Sequence, residues 1–160
     1  MLKLYKKIDG ILHYWETWED DNKTATIHWG IVGQTGESKE IKSGLFISVQ
    51  NQIQKEIQRI SAQGYERIDQ EYLSTLIIEY EIDGMGTQED INKRYDVENR
   101  IDELLGWSGT GNCDGGSIGS GTMEVCCYVV NFDIAKELIT NNLKGTEFGN
   151  YSRIYDESLI

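Results

Sequence analysis

The chain has 160 residues, a formal net charge of -12, 39% hydrophobic residues, 17 glycines and no proline. That length suits one ordinary domain or two small ones, and the apolar content excludes wholesale disorder. Glycine therefore supplies nearly all of the turn positions. No apolar run is long enough for a signal peptide or a membrane span, so the sequence predicts a cytoplasmic protein that does not enter a membrane.

The charge is unevenly distributed along the chain. Residues 1–70 carry 9 Lys and Arg against 10 Asp and Glu, a net charge of -1, whereas residues 71–160 carry 6 against 17, a net charge of -11. This asymmetry predicts two units with different surfaces, a domain at 1–69 and an acidic domain at 70–160. An acidic unit repels nucleic acid and favours basic partners.

Alternating apolar and polar residues mark strands in the first half. In the segment TATIHWG the residues Ala25, Ile27 and Trp29 alternate with threonine and histidine, which predicts a strand with one buried face. The predicted strands of this half cover 2–8, 13–19, 24–30 and 38–42, with a turn at 20–23.

An amphipathic helix is predicted after the fourth strand. Ser43 is a good residue for the helix N-cap, and Gly64 suits the end of the helix, with Tyr65 folding back on the last turn. Apolar residues between them recur at spacings of three and four and form one stripe. The members of that stripe are Phe46, Val49, Ile53, Ile57 and Ile60. The first half is therefore predicted to be an antiparallel sheet with one helix laid across it.

The second half predicts the element order βαββαβ. Thr87 with Asp90 predicts a capping arrangement at the start of its first helix. In a ferredoxin-like sheet the first and third strands are central, and here these are the two most apolar strands, 74–82 and 123–130. We expect them to lie side by side and parallel. The other predicted elements are a helix ending at Gly106, a strand at 110–118, a helix at 131–144 and a strand at 150–157.

The first half resembles the WGR domain family, known from poly(ADP-ribose) polymerases and from many bacterial proteins. The resemblance covers about residues 1–68 and is carried by YWETWEDDNKTATIHWGIVGQTGE and the helix that follows. Its specific positions are Trp15, Trp29, Gly30, Val32, Gly33 and Gly36. The resemblance implies the predicted sheet-and-helix fold and a bacterial protein.

The family takes its name from a Trp-Gly-Arg motif, and in the polymerases this domain helps to contact DNA near a break. There the tryptophan packs against a sugar and the arginine reaches the backbone. In this chain the third motif position is Ile31, which cannot neutralise a phosphate, and Glu37 and Glu40 offset the nearby lysines. DNA binding is therefore disfavoured. The candidate binding residues by resemblance are Trp29, Gly30, Ile31, Gly33, Gly36, Lys39 and Lys42.

Two interpretations stay open for the Trp29–Ile31 region. Without a bulge the two side chains project from the same face of the strand, and an exposed apolar face of that width is costly in water. We expect protein to cover it. The cover is either the helix of the first domain, through Phe46, Val49 and Ile53, or the second domain.

No assembled catalytic or metal-binding set appears in the sequence. GGSIGSG at 115–121 lacks the following helix that a dinucleotide fingerprint requires, so its glycines predict a bent hairpin or a bulge. His13 and His28 read as ordinary strand residues, and Asp114 with Ser117 as turn chemistry. The three cysteines, two of them adjacent, read as small buried hydrophobes.

These observations predict an α+β protein, a WGR-like domain followed by a ferredoxin-like domain. They favour a non-enzymatic binding or accessory protein without a cofactor, whose partner is a protein, with a basic one favoured by charge. Two alternatives stay open: an immunity-type inhibitor that caps a basic protein such as a nuclease toxin, and a weak nucleic-acid-binding WGR protein.

Overall fold

The computed structural model describes residues 1–159 and divides into two compact units, Met1–Ile68 and a second unit that begins at Asp69. Each unit contains a four-stranded sheet in which every pair of neighbouring strands is antiparallel. Helices accompany both sheets, so the predicted α+β class is confirmed. Within residues 1–159 no helix is both long and apolar enough to cross a membrane.

The sheet of the first unit is a meander, with its strands in chain order. The turn between its first two strands consists of Asp9 and Gly10, both with positive φ (49° and 85°), which is the backbone that a two-residue hairpin requires. The next turn is held by Asp21, whose carboxylate accepts the backbone N–H groups of Lys23 and Thr24 at 2.7 Å. The strands are β1 (Leu2–Ile8), β2 (Ile11–Glu19), β3 (Thr24–Ile31) and β4 (Glu37–Lys42).

The helix of the first unit, α1 (Val49–Ala62), begins later than predicted. Its N-cap is Ser48, whose side chain accepts the backbone N–H of Asn51, and not Ser43. Gly44 explains the difference, since a glycine in the first turn weakens a helix. Phe46 therefore lies outside the helix and is exposed, so its predicted place in the buried stripe was wrong. The buried stripe is formed by Val49, Ile53 and Ile60, with Ile57 partly buried beside them.

The second unit has the predicted element order, and its sheet has the strand order β6-β7-β5-β8. Tyr80, Ile101 and Val125 belong to the core between this sheet and its helices. Thr87 and Asp90 form the predicted capping box at the start of the first helix. The elements are β5 (Ser74–Glu81), α2 (Gln88–Trp107), β6 (Gly111–Gly119), β7 (Thr122–Val129), α3 (Phe132–Leu143) and β8 (Arg153–Asp156).

The two central strands of this sheet, β5 and β7, lie side by side as predicted, but they pair antiparallel. The expected parallel pairing was wrong, and the connections explain why. Helix α2 carries the chain back, so β6 runs in the same direction as β5; the tight turn at Ser120 and Gly121 then reverses the chain into β7. The bulge expected in the glycine-rich segment is present between Cys113 and Gly116.

Candidate functional site

Trp29, the first motif position of the resemblance, lies in the core that faces helix α1. It sits opposite Trp15 in the ladder of β2 and β3 and packs against a cluster that includes Leu4, Ile27 and Ile60. Ile31, at the end of β3, is partly buried as well. Ile60 of the helix therefore contributes to covering Trp29, in place of the predicted Phe46.

The glycines of HWGIVGQTG allow the loop after β3 to fold back tightly against the strand. A Cβ on Gly30 would lie 2.8 Å from Cα of Gly36, and a Cβ on Gly36 would overlap the carbonyl oxygen of Trp29. Gly33 and Gly36 also have positive φ, 96° and 69°. Side chains at these positions would push the loop off the sheet. The pattern therefore serves the close approach of two backbone segments.

A buried polar network holds this loop on the sheet face opposite to α1. The Tyr14 hydroxyl lies 3.0 Å from the carbonyl oxygen of Gln34, 2.9 Å from that of Thr35 and 3.1 Å from His28 Nε2. His28 Nδ1 lies 2.7 Å from Glu16 Oε1, and His28 Nε2 also contacts the Thr35 carbonyl oxygen. His28 is a residue of strand β3, as predicted, and its ring also belongs to this buried network.

Burial and mutual contacts characterise this network. Tyrosine, histidine and glutamate in a row resemble a proton-transfer relay, but Tyr14, Glu16 and His28 are all buried. The Tyr14 hydroxyl is engaged by loop carbonyls, and burial, followed by the charge of Glu16, raises the pKa of Tyr14 above its ordinary value. Glu16 also forms an ion pair with Lys3, with 3.0 Å between Oε2 and Nζ. The network therefore ties the loop to the sheet.

The two candidate phosphate-binding lysines are each paired with a carboxylate of their own unit. Lys42 Nζ lies 2.7 Å from Glu40 Oε1, and Lys39 Nζ lies 3.8 Å from Glu56 of helix α1. Glu56 also pairs with Arg59 at 2.7 Å, so it offsets the charge of Lys39 only in part, and Ile31, at the position that the resemblance assigns to arginine, adds no charge. The seven residues named by the resemblance thus divide into a partly buried tryptophan packed against the core, three glycines at or near the end of β3, two ion-paired lysines and a partly buried Ile31.

An exposed apolar tip stands on the loop between β4 and α1. We define the apolar tip as Leu45, Phe46 and Ile47, with side chains 96%, 97% and 42% exposed. Both ends of this loop are fixed. The Ser43 N–H donates to the carbonyl of Lys23 at 2.8 Å, and the Gly44 N–H donates to the carbonyl of Ile47 at 2.9 Å, which closes a small loop around Leu45 and Phe46.

The sheet face of the second unit opposite to its helices carries a set of paired polar groups. Arg153 donates two hydrogen bonds to the carboxylate of Glu79, at 2.9 and 2.8 Å. Glu124 accepts from Ser117 at 2.7 Å and from Tyr155 at 3.2 Å. These groups satisfy one another, so the face shows no unpaired acid or base poised for chemistry among them. Among residues 1–159 no group of three or more His, Cys, Asp or Glu side chains is arranged to hold a metal ion.

No protein-family model, curated protein or solved structure matches this chain. The WGR resemblance of the first unit therefore stays a prediction.

Two features of the first unit were not predicted from the sequence. The apolar tip was not predicted because Phe46 lies three residues before Val49, which is a helical spacing. Ser48, three residues before Asn51, was a second possible N-cap that would have excluded Phe46 from the helix. The buried network was hidden because its members are far apart in the chain. The pairing register of β2 and β3 places Tyr14, Glu16 and His28 on one face of the sheet, and this shared face could have predicted the network.

Proposed function

We propose that this chain is a non-enzymatic, protein-binding accessory protein and that it attaches to its partner through the apolar tip. The observation that carries the proposal is the near-complete exposure of Leu45 and Phe46 side by side on a loop whose ends are hydrogen-bonded. A fixed loop loses little conformational entropy on binding, which favours affinity. We retain the expectation of a cytoplasmic bacterial protein as part of this proposal.

The chemistry of the tip identifies the kind of surface that it fits. A phenylalanine that enters a pocket buries roughly 150–250 Å² and is a typical anchor of a protein interface. The complementary surface is an apolar pocket on a folded protein. An anionic membrane surface is a poorer match, because the chain carries a net charge of -12.

Nucleic acid is the less supported partner. Ile31 stands where the resembled family has its arginine, and Lys39 and Lys42 are paired with carboxylates. Neutralisation of phosphates by cations supplies most of the affinity in non-specific DNA binding. In this proposal the first unit, WGR-like by resemblance, works as a protein-binding module.

The second candidate function is an inhibitor that caps a basic protein, as immunity proteins against nuclease toxins do. The charge distribution favours it, since residues 71–160 carry 17 Asp and Glu against 6 Lys and Arg. An acidic surface accelerates encounter with a basic partner and makes the association rate fall steeply with salt. A salt-independent association rate with the identified partner would contradict this candidate and leave the apolar tip unaffected.

The test replaces the tip and a matched pair of exposed apolar residues in the same unit. A photoreactive residue at position 46 identifies the partner, which is then purified for affinity measurements against full-length variants. Leu45→Ser with Phe46→Ser is expected to weaken binding at least thirty-fold, about 2 kcal/mol or more. The control is Ile8→Ser with Ile11→Ser, two residues that face each other across the β1–β2 hairpin and are both exposed.

Equal affinities for the tip variant and the native chain would overturn the proposal. Loss of binding by the control variant alone would move the interface to the hairpin. The remaining possibility is that the apolar tip binds a second copy of this chain. Measurement of the molar mass by light scattering tests it, because the native chain would then self-associate and the tip variant would not.

A further inference from the structure

Two of the three cysteines face each other across neighbouring strands. Cys113 of β6 lies opposite Cys127 of β7 in the ladder of the second unit. Cys127 is fully buried in the core on the helix-facing side of the sheet, and Cys113 is partly buried against the same core. Cys126 projects from the opposite face, because neighbouring residues of a strand alternate in direction.

The hydrogen-bond pattern shows that this pair occupies the closer type of ladder position. The backbone N–H of Val130 donates to the carbonyl of Thr110 at 2.9 Å, which makes these two residues a hydrogen-bonded pair. Since the two types alternate along an antiparallel ladder, Cys113 and Cys127, three positions further, form a non-hydrogen-bonded pair. The Cys113 N–H accordingly points away from β7 and donates to Asp102 Oδ1 at 2.8 Å.

The non-hydrogen-bonded position is suited to a covalent bridge. Its Cα atoms lie about 4.5 Å apart, within the roughly 4.4–6.8 Å range of disulfides. Interaction with the Cys113 side chain, followed by burial, raises the pKa of Cys127 above its ordinary value. The register therefore places the two cysteines directly opposite each other, where a disulfide needs no change in strand pairing.

We propose that Cys113 and Cys127 form a redox modification site and close a cross-strand disulfide when the protein meets a peroxide. The partly buried Cys113 is the residue that the oxidant reaches first. Its thiolate attacks one peroxide oxygen, so that an S–O bond forms, the O–O bond breaks and hydroxide leaves to become water. The product is a sulfenic acid at Cys113.

The second step joins the two sulfur atoms. Cys127 gives up its proton and attacks the Cys113 sulfur; the S–S bond forms, the S–O bond breaks and a second water leaves. Overall, two thiols lose two electrons and one peroxide molecule gains them. A dimedone probe added with the peroxide is expected to label the sulfenic acid at Cys113.

The bridge changes the edge of the second sheet. Strand β6 lies at that edge, and a bulge follows Cys113 directly. In the reduced protein the outward N–H groups of Cys113 and Gly115 donate to Asp102 and Glu98 of helix α2. A disulfide adds a covalent tie to β7, so we expect the bulged edge to open less often and its amide hydrogens to exchange more slowly. This inference does not depend on the proposed function.

The test uses the full-length reduced protein, treated with hydrogen peroxide, alkylated without reductant and digested for mass spectrometry. The expected product is one intrachain cross-link between the peptides of Cys113 and Cys127, with the intact mass lower by two hydrogen atoms and Cys126 alkylated. Cys126→Ala is the matched control and leaves the cross-link intact. Cys113→Ala abolishes it, and so does Cys127→Ala.

Several outcomes would overturn the proposal. These are a cross-link through Cys126, a cross-link between two chains, and irreversible oxidation of Cys113 with Cys127 still alkylated. If Cys127→Ala does not fold, the cross-linked peptides of the oxidised native chain still test the proposal, because they identify the bridged cysteines without a variant. The same treatment in urea is expected to scramble the pairing among all three cysteines, which shows that the fold selects the pair.

Discussion

The tight approach of the loop after β3 makes Gly36→Ala the most informative substitution in the first unit. Two costs combine at this position. The left-handed backbone, φ 69°, disfavours alanine by about 1 kcal/mol, and the new Cβ would overlap the carbonyl oxygen of Trp29 and lie 2.5 Å from the Tyr14 hydroxyl. Overpacking against fixed atoms adds about 1–3 kcal/mol.

Movement of the loop away from β3 would relieve this clash but would also lower the stability of the folded protein. If the loop moves away, the Tyr14 hydroxyl loses the one hydrogen bond that it shares between the carbonyl oxygens of Gln34 and Thr35, worth about 1 kcal/mol. The expected loss in the free energy of unfolding is therefore about 2–4 kcal/mol. The matched control is Gly10→Ala, which has a similar positive φ of 85° but no atom within 4 Å of the new Cβ. It is expected to cost about 1 kcal/mol.

The assay is urea unfolding of the full chain in a Trp107→Phe background. The chain has four tryptophans, and the other three, Trp15, Trp18 and Trp29, belong to the first unit, so that fluorescence then reports this unit alone. The two glycine variants are compared with the background protein. Equal losses for both variants, within about 0.5 kcal/mol, would refute the close packing of the loop on β3.

Three further results are expected. The full chain does not bind nicked duplex DNA at physiological salt, and Ile31→Arg gains only weak, salt-dependent binding; a sub-micromolar gel shift of the native chain would contradict this. Ser48→Ala lowers the free energy of unfolding of the first unit by about 1 kcal/mol, whereas Ser43→Ala changes it by less than half of that, and the reverse order would restore the earlier helix start. Burial holds the pKa of Tyr14 and Tyr80 above the ordinary 10.0, so the unfolded chain loses these protons first and stability falls as the pH rises past about 10. Tyr14→Phe and Tyr80→Phe should therefore leave the ultraviolet tyrosinate titration of the folded protein unchanged, and a smaller tyrosinate signal before unfolding would contradict the burial.

Local patterns were sufficient for most of the fold. Alternation along TATIHWG predicted a strand with a buried face, and Ala25 and Ile27 are buried there. The Thr87 and Asp90 cap depends on residues three positions apart, so it was visible in the sequence. The start of α1 was mistaken because Ser43 and Ser48 are both suitable caps, and Gly44, which disfavours the earlier start, was not weighed against the apolar spacing.

The candidate sites depended on contacts between distant residues. Nothing local to Phe46 distinguishes a buried position from an exposed one, because the same spacing suits a helix stripe and an irregular loop. The direction of β7 relative to β5 follows only when the reversals along α2 and the tight turn are counted through the whole unit.

The sequence by itself determined the α+β class, the charge asymmetry and the uncharged Ile31 in HWGIVGQTG, because these depend on composition, short-range periodicity and single positions. Only the tertiary structure decided that Tyr14 meets His28 and that Cys113 faces Cys127. Those pairs are set by strand register, and a shift of one residue would send every side chain to the other face. The register is fixed by turns, a bulge and packing acting together, which no single stretch of the chain contains.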